Sequence, residues 1–235
     1  MYIDWTYIIL VLPAVIFAMI CSAKVNSSFK KYSQIYCTRG ITGAEAARKV
    51  LEANGVYNVA IGTVSGKLSD HYDPRSNTIN LSSEVYGSSS VAAIGVACHE
   101  AGHAVQHAEN YKPLIFRNMI IPATNIGAKL SFPLILLGIF FSYMGEQFIA
   151  IAYVGVGCFA LSTLFQLVTL PTEFNASRRA LKAIDQNNLL TQQEQVGAKK
   201  MLSAAAMTYV AALAVSFMQL LRLLLMVSRN DRRRR

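Results

Sequence analysis

The chain has 235 residues, of which 53% are hydrophobic and only 15% are charged, and its formal net charge is +9. Long stretches without Lys, Arg, Asp or Glu place it in the membrane class and exclude an ordinary water-soluble domain. The positive charge lies next to these stretches, without the aromatic-basic interleaving typical of nucleic-acid binding. Its expected partner is therefore the anionic headgroups of a lipid bilayer, and not nucleic acid.

Four apolar blocks are candidates for membrane spans, which need about 20 residues each. They cover about 5–21, 130–144, 148–170 and 204–227, and we expect three or four spans. The second and third blocks are separated only by Gly145-Glu146-Gln147, which predicts a transmembrane hairpin. The first block has neither a basic stretch before it nor a small-residue cleavage site after it, so we expect a retained anchor rather than a secretory signal peptide.

These blocks predict five consecutive segments. They are an N-terminal anchor, a first polar segment, the hairpin, a second polar segment and a C-terminal apolar helix with a basic tail, covering 1–23, 24–118, 119–170, 171–203 and 204–235. Most Lys and Arg lie in the two polar segments and none in the hairpin turn, so the positive-inside rule predicts a multi-pass protein of the cell membrane whose polar segments face the cytoplasm. Five arginines in the tail conflict with this orientation unless the last block does not fully cross or a span is miscounted.

The first polar segment contains a helix and strand-like sequence. Thr42-Gly43-Ala44-Glu45 fits a capping box that opens an Ala-rich helix. Alternating apolar residues at Tyr57–Val64 and Thr78–Leu81 predict a small sheet, whose edge can pair with an extended peptide. His71 and Tyr72 fall in the loop between these strands, where they are either solvated or hydrogen-bond donors to a tetrahedral oxyanion.

The stretch His99-Glu100-Ala101-Gly102-His103 is an H-E-x-x-H motif inside a predicted helix at 90–110. Residues four apart lie on one helical face, so His99 and His103 can direct two imidazoles at one Zn²⁺ ion. Glu100 lies beside the open coordination position and is the expected general base. The alternative is a partly buried helix that carries two histidines by chance.

A catalytic zinc usually takes three protein ligands, so a third must be found. In an unbroken helix His107 lies about 12 Å along the axis from His99, too far for one ion, and is expected to support the site indirectly or to lie at the surface. Glu173 is the better candidate, because Pro171 can begin a new helix where the third apolar block ends. The alternative role of Glu173 is an ion pair with Arg178 or Arg179.

In this order, the motifs resemble those of the YugP-like membrane zinc metallopeptidases of bacteria. The resemblance covers nearly the whole chain and is carried by Ser69–Pro74, Ile79–Ser82, His99–His107 and Leu170–Ser177. It implies a relation to the HtpX-type gluzincins, in which a Glu on a later helix completes the H-E-x-x-H site. Those enzymes often have an Asp four residues after that Glu, where this chain has Ser177.

The sequence thus predicts an α+β, zincin-like catalytic domain with a small sheet on a mostly helical membrane frame. The expected activity is that of an endopeptidase with one catalytic zinc on His99, His103 and Glu173, acting on peptides or membrane proteins near the bilayer. One alternative is an intramembrane site-2-type protease, which would carry its motif inside a span. Another is a catalytically silent scaffold that uses the metal only for folding.

Overall fold

The computed structural model describes residues 4–232, which form two compact units. Seven α-helices and three β-strands make up this described part of the chain. In order they are α1 (Leu12–Tyr32), α2 (Gly43–Ala53), β1 (Ala60–Val64), β2 (His71–Asp73), β3 (Thr78–Ser82), α3 (Ser83–Tyr86), α4 (Val91–Ala108), α5 (Lys112–Phe141), α6 (Ile149–Gln186) and α7 (Gln192–Arg232). A predominantly helical chain with one small sheet confirms the predicted α+β class.

The first unit, which we call the apolar unit, contains the described residues up to Ile20, Phe116–Leu170, and the described residues from Tyr209 onward. Four helical stretches of the described chain are long and apolar enough to cross a membrane, the upper end of the predicted three or four. They are Tyr7–Tyr32, Lys112–Phe141, Glu146–Gln186 and Gln192–Arg232. All four extend well beyond the predicted apolar blocks, because segments that contain polar residues continue the helices at one end or both.

The arms of the predicted hairpin pack closely. A Cβ atom on Gly138 would lie 2.2 Å from the backbone nitrogen of Ala152, so α5 and α6 touch backbone to backbone there. The end of α7 lies beside the hairpin turn, since Asn230 Nδ2 donates a hydrogen bond of 3.2 Å to Ser142 Oγ. The C-terminal end of α7 and the end of α5 before the hairpin turn are therefore in contact.

The second unit, which we call the polar unit, contains Cys21–Ile115 and Pro171–Thr208. Its helix α2 begins with the predicted capping box, in which Thr42 and Glu45 each accept the other's backbone N–H. The sheet has the order β1-β3-β2, with β3 parallel to β1 and antiparallel to β2. Strand β2 is thus an edge strand. The largest fully buried side chains around α4 include those of Leu51, Ile79, Leu81, Ile94 and Ile184.

The structure corrects the predicted placement of His71 and Tyr72. Both lie in strand β2, not in a loop, and Tyr72 is paired with Ile79 of β3. The tight turn that joins the two strands is stabilised by Asp73, which accepts hydrogen bonds from the backbone of Arg75 and the hydroxyl of Ser76. A strand of three residues is too short for an alternating pattern to reveal it.

The predicted helix start at Pro171 is also wrong. Pro171 lies inside α6, which is continuous from Ile149 to Gln186. A proline inside a helix removes one hydrogen bond and crowds the carbonyl of the preceding turn, but such residues are tolerated within helices of membrane proteins. Two further prolines lie inside α5 in the same way. The consequence is that Glu173 lies on an unbroken helix.

Candidate metal centre

Helices α4 and α6 bring three potential ligands together. Nε2 of His99 lies 3.3 Å from Oε2 of Glu173, and Nε2 of His103 lies 3.4 Å from the same oxygen. The ligand atoms of the three residues all lie within 4.8 Å of one another. In the described chain they form the group of His and acidic side chains that can hold a metal ion, and His107 is not part of it.

The close contact between the two helices depends on a glycine, Gly102. A Cβ atom on Gly102 of α4 would lie 2.9 Å from the backbone oxygen of Ala176 in α6. Gly102 is the residue immediately before His103, and Ala176 is three residues after Glu173. The close approach of the two backbones therefore occurs at the level of the ligands.

The donor set fits a zinc ion. Two imidazole nitrogens and one carboxylate oxygen are the ligands of many catalytic zinc sites, and tetrahedral ligands at 2.0–2.2 Å from the ion are separated by about 3.4 Å. The two measured separations, 3.3 and 3.4 Å, agree with that spacing. All three side chains are also largely withdrawn from solvent, with exposed fractions of 13%, 11% and 5% for His99, His103 and Glu173.

Both imidazoles are oriented through their other nitrogen. Nδ1 of His103 lies 3.0 Å from Oε1 of Gln106, and Nδ1 of His99 lies 3.2 Å from Oγ of Ser177. A hydrogen bond at Nδ1 fixes the ring and leaves the Nε2 lone pair for the metal. Ser177 thus occupies the position four residues after Glu173 and contacts His99 from there.

Gln106 connects the two helices. Its side chain has no exposed surface. Its Nε2 donates to the backbone oxygen of Thr172 at 2.9 Å and to Oδ1 of Asn175 at 2.8 Å, while Oε1 faces His103. Asn175 Oδ1 also accepts from Arg179 Nε at 2.7 Å. Every polar atom of this buried amide is therefore engaged, which fixes its orientation.

Glu100 lies on the side of α4 that faces strand β2. It is 8% exposed. Burial is the main effect that raises the pKa of its carboxyl to about 7. The neighbouring His99 lowers this pKa, whereas the neighbouring acids Glu173 and Asp70 raise it. The backbone N–H of Tyr72 lowers the pKa, which is consistent with the packing of the edge strand β2 against α4. A carboxyl group with this pKa can both accept and return a proton near neutral pH.

The other predicted residues lie around β2. His71 and His107 are exposed and Tyr72 is partly buried. The Tyr72 hydroxyl lies 2.6 Å from Nδ1 of His107 and 2.7 Å from Oδ1 of Asn77. Desolvation of the ring raises the Tyr72 pKa to about 12, with a further contribution from Asp73. The structure thus joins Tyr72 to His107, and it places His107 outside the three-ligand group.

Gln106 and Asn175 had not been singled out from the sequence. Gln106 lies three residues after His103, a spacing that brings side chains together on a helix. That spacing could have predicted its contact with His103. Its hydrogen bonds to Thr172 and Asn175 could not be predicted in this way, because they join segments more than sixty residues apart.

Comparisons with known proteins agree with this geometry. The family model described as "putative neutral zinc metallopeptidase" matches residues 7–228. The chain is 43% identical over 218 residues to a Bacillus subtilis (strain 168) protein named "putative membrane protease YugP", an alignment that covers 92% of this chain and 94% of that protein. No solved structure matches the chain.

Proposed function

Because this chain belongs to the neutral zinc metallopeptidase family, we propose that it is a multi-pass membrane endopeptidase that hydrolyses peptide bonds of membrane-proximal protein segments. The observation that carries this proposal is the convergence of His99, His103 and Glu173 around one point, with the Glu173 oxygen 3.3 and 3.4 Å from the two imidazole nitrogens. Glu100 lies on the next position of the same helix as His99 and supplies a buried carboxylate.

His99, His103 and Glu173 would hold one Zn²⁺ ion. When bound, the ion supplies Lewis acidity that polarises the scissile carbonyl and promotes ionisation of water. Gln106 and Ser177 hold the two imidazoles in the required orientation. Glu100 takes a proton from the attacking water onto its carboxylate and passes it to the leaving amine. Its burial excludes bulk water, which would otherwise compete for that proton.

The edge strand β2 provides a place for an extended peptide. An edge strand has one row of backbone groups that no neighbouring strand pairs with, and peptides bind such edges by adding a strand. Strand β2 is the edge that reaches Glu100 through the backbone of Tyr72. A peptide added here would have its backbone next to the general base. His71 and Tyr72 belong to this strand and are proposed to contact bound peptide rather than the ion.

The two alternative functions, a site-2-type protease and a catalytically silent scaffold, require different features in the structure. A site-2-type protease carries its motif inside a membrane span, but α4 is not among the four candidate spans of the described chain. A silent scaffold would hold zinc in a closed site of four protein ligands. The group of three ligands in the described residues favours the enzyme, because it leaves one coordination position for water or substrate.

The decisive experiment compares two isosteric variants of the purified full-length protein in detergent. Glu100→Gln should retain zinc, because Glu100 is not a ligand, and should lose about 10²–10⁴-fold in peptide hydrolysis. Glu173→Gln should lose zinc affinity as well, since a neutral amide is a poor ligand for a dication. Metal analysis and cleavage of a fluorogenic peptide library measure the two effects.

Glu52→Gln is the matched control for this experiment. Glu52 lies in α2, is exposed, and does not belong to the group of three ligands. It should keep both zinc and activity. Near-normal turnover of Glu100→Gln would refute the proposed mechanism, and full zinc retention by Glu173→Gln would refute the ligand set.

A further inference from the structure

Tyr72 and His107 form a hydrogen-bonded pair between the edge strand and the metal-binding helix. Tyr72 is the central residue of β2, and its backbone reaches Glu100. Its side chain extends to His107, with 2.6 Å between the hydroxyl oxygen and Nδ1. His107 lies on α4 and is exposed. The pair therefore borders the space in which a peptide added to β2 would lie.

The hydrogen-bond directions in this group follow from its fixed donors. Asn77 Nδ2 donates to the backbone oxygen of Asn58 at 3.0 Å, which determines the orientation of the Asn77 amide. Its Oδ1 can only accept, so the Tyr72 hydroxyl, 2.7 Å away, donates its proton to Asn77. The Tyr72 oxygen must then accept the hydrogen bond from His107, and the proton of a neutral His107 lies on Nδ1.

This arrangement leaves His107 with an acceptor at Nε2. No described residue donates a hydrogen bond to Nε2, and the ring is exposed. His71, the other histidine beside Tyr72, differs. Its Nδ1 donates to the backbone oxygen of Ser69 at 2.8 Å, and its Nε2 lies 3.3 Å from the Nδ2 donor of Asn80. Of these two histidines, His107 is the one that can accept a hydrogen bond from a ligand.

We propose that His107 is a specificity-determining residue whose Nε2 accepts a hydrogen bond from a substrate side chain bearing a hydroxyl or amide group. This inference rests on the proposed peptidase function and names a preference of the same site. His107 lies seven residues after Glu100, about 10 Å along the helix axis. An extended peptide covers that distance in about three residues. The recognised side chain lies two to four residues from the cleaved bond.

Isosteric peptide pairs test the preference directly. The zinc-loaded full-length protein in detergent is given peptides with Thr or Val, and with Asn or Asp, at each position two to four residues from the cleaved bond. At one position kcat/KM should favour Thr over Val, and Asn over Asp, by about three- to tenfold, the usual effect of one hydrogen bond. His107→Leu should abolish the preference and leave cleavage of the Val peptide within about twofold.

Two further variants separate recognition from a structural effect. His71→Leu should keep the Thr preference, because its Nε2 is already engaged by Asn80. Tyr72→Phe should weaken the preference without abolishing it, since it removes the group that holds the proton on Nδ1 of His107. An equal loss of both peptides in His107→Leu, or a Thr preference that survives that variant, would overturn the inference.

Peptide binding distinguishes failure of this inference from failure of the proposed function. The same labelled Thr and Val peptides are titrated into Glu100→Gln and into Glu100→Gln/His107→Leu, with fluorescence anisotropy as the readout. Tighter binding of the Thr peptide to the first protein and equal binding of both peptides to the second supports the role of His107 even if no peptide is cleaved. Equal affinity of the two peptides for Glu100→Gln contradicts it.

Discussion

Gln106 Oε1 lies 3.0 Å from Nδ1 of His103, and Nε2 of the same Gln106 side chain donates hydrogen bonds to both Thr172 and Asn175. One buried side chain therefore orients the proposed ligand His103 on α4 and connects α4 to α6, the helix that carries Glu173. Partners of this kind contribute substantially to metal affinity, because they fix the tautomer and the direction of the lone pair.

Replacing Gln106 by Leu should weaken zinc binding by about ten- to a hundredfold, the usual effect of losing such a partner. It should also lower the free energy of unfolding by about 1–3 kcal/mol, because the buried backbone oxygen of Thr172 and the side chain of Asn175 each lose one hydrogen bond. Competition with a zinc chelator and chemical denaturation measure the two quantities. Gln193→Leu, at an exposed position, is the control. Unchanged zinc affinity in Gln106→Leu would contradict the positioning role.

Ser177 should tune the other histidine. Ser177→Ala removes the 3.2 Å contact with Nδ1 of His99 and should lower zinc affinity about tenfold. Ser177→Asp should bind zinc at least as tightly as the natural chain, because a carboxylate partner makes the imidazole a stronger ligand. Both are measured by chelator competition. Equal affinities of the Ala and Asp variants would show that the Ser177 contact does not support the ligand.

Gly102→Ala should disturb the contact between α4 and α6. The added methyl group meets the backbone oxygen of Ala176 at 2.9 Å, so the helices must separate. We expect a loss of about 1–3 kcal/mol in the free energy of unfolding, as for other overpacked sites, together with weaker zinc binding. Gly157→Ala in α6 is the matched control, because nothing lies within 4 Å of its added Cβ. That variant should be neutral or slightly stabilising.

Membrane orientation can be tested by cysteine labelling. In a protein freed of its own cysteines, single cysteines at Lys67 and Gln192 should resist an impermeant thiol reagent in intact cells, as the positive-inside rule predicts for both polar segments. A cysteine at Gln147, in the hairpin turn, should react. Labelling of Lys67 and Gln192 from outside would reverse the orientation, and labelling of one alone would mean that a span is miscounted.

Local patterns predicted the parts of the structure that depend on neighbouring residues. The spacing of His99 and His103 is a property of one helix, and the capping box at Thr42 involves four consecutive residues. Strand β2 was missed because three residues are too few to show an alternating pattern of apolar and polar side chains. The continuity of α6 through Pro171 was missed because a proline usually marks a helix boundary. The bonds of Gln106 join distant segments, which no local pattern encodes.

The order of the ligands along the chain has a consequence for biosynthesis. His99 and His103 are made early, but Glu173 is translated only after α5 and much of α6. Two histidines alone make an incomplete zinc site, since catalytic sites take three protein ligands. A growing chain would thus lack the complete proposed site until the apolar hairpin has been synthesised. The proposed peptidase activity would therefore arise only once Glu173 and most of the chain have been translated.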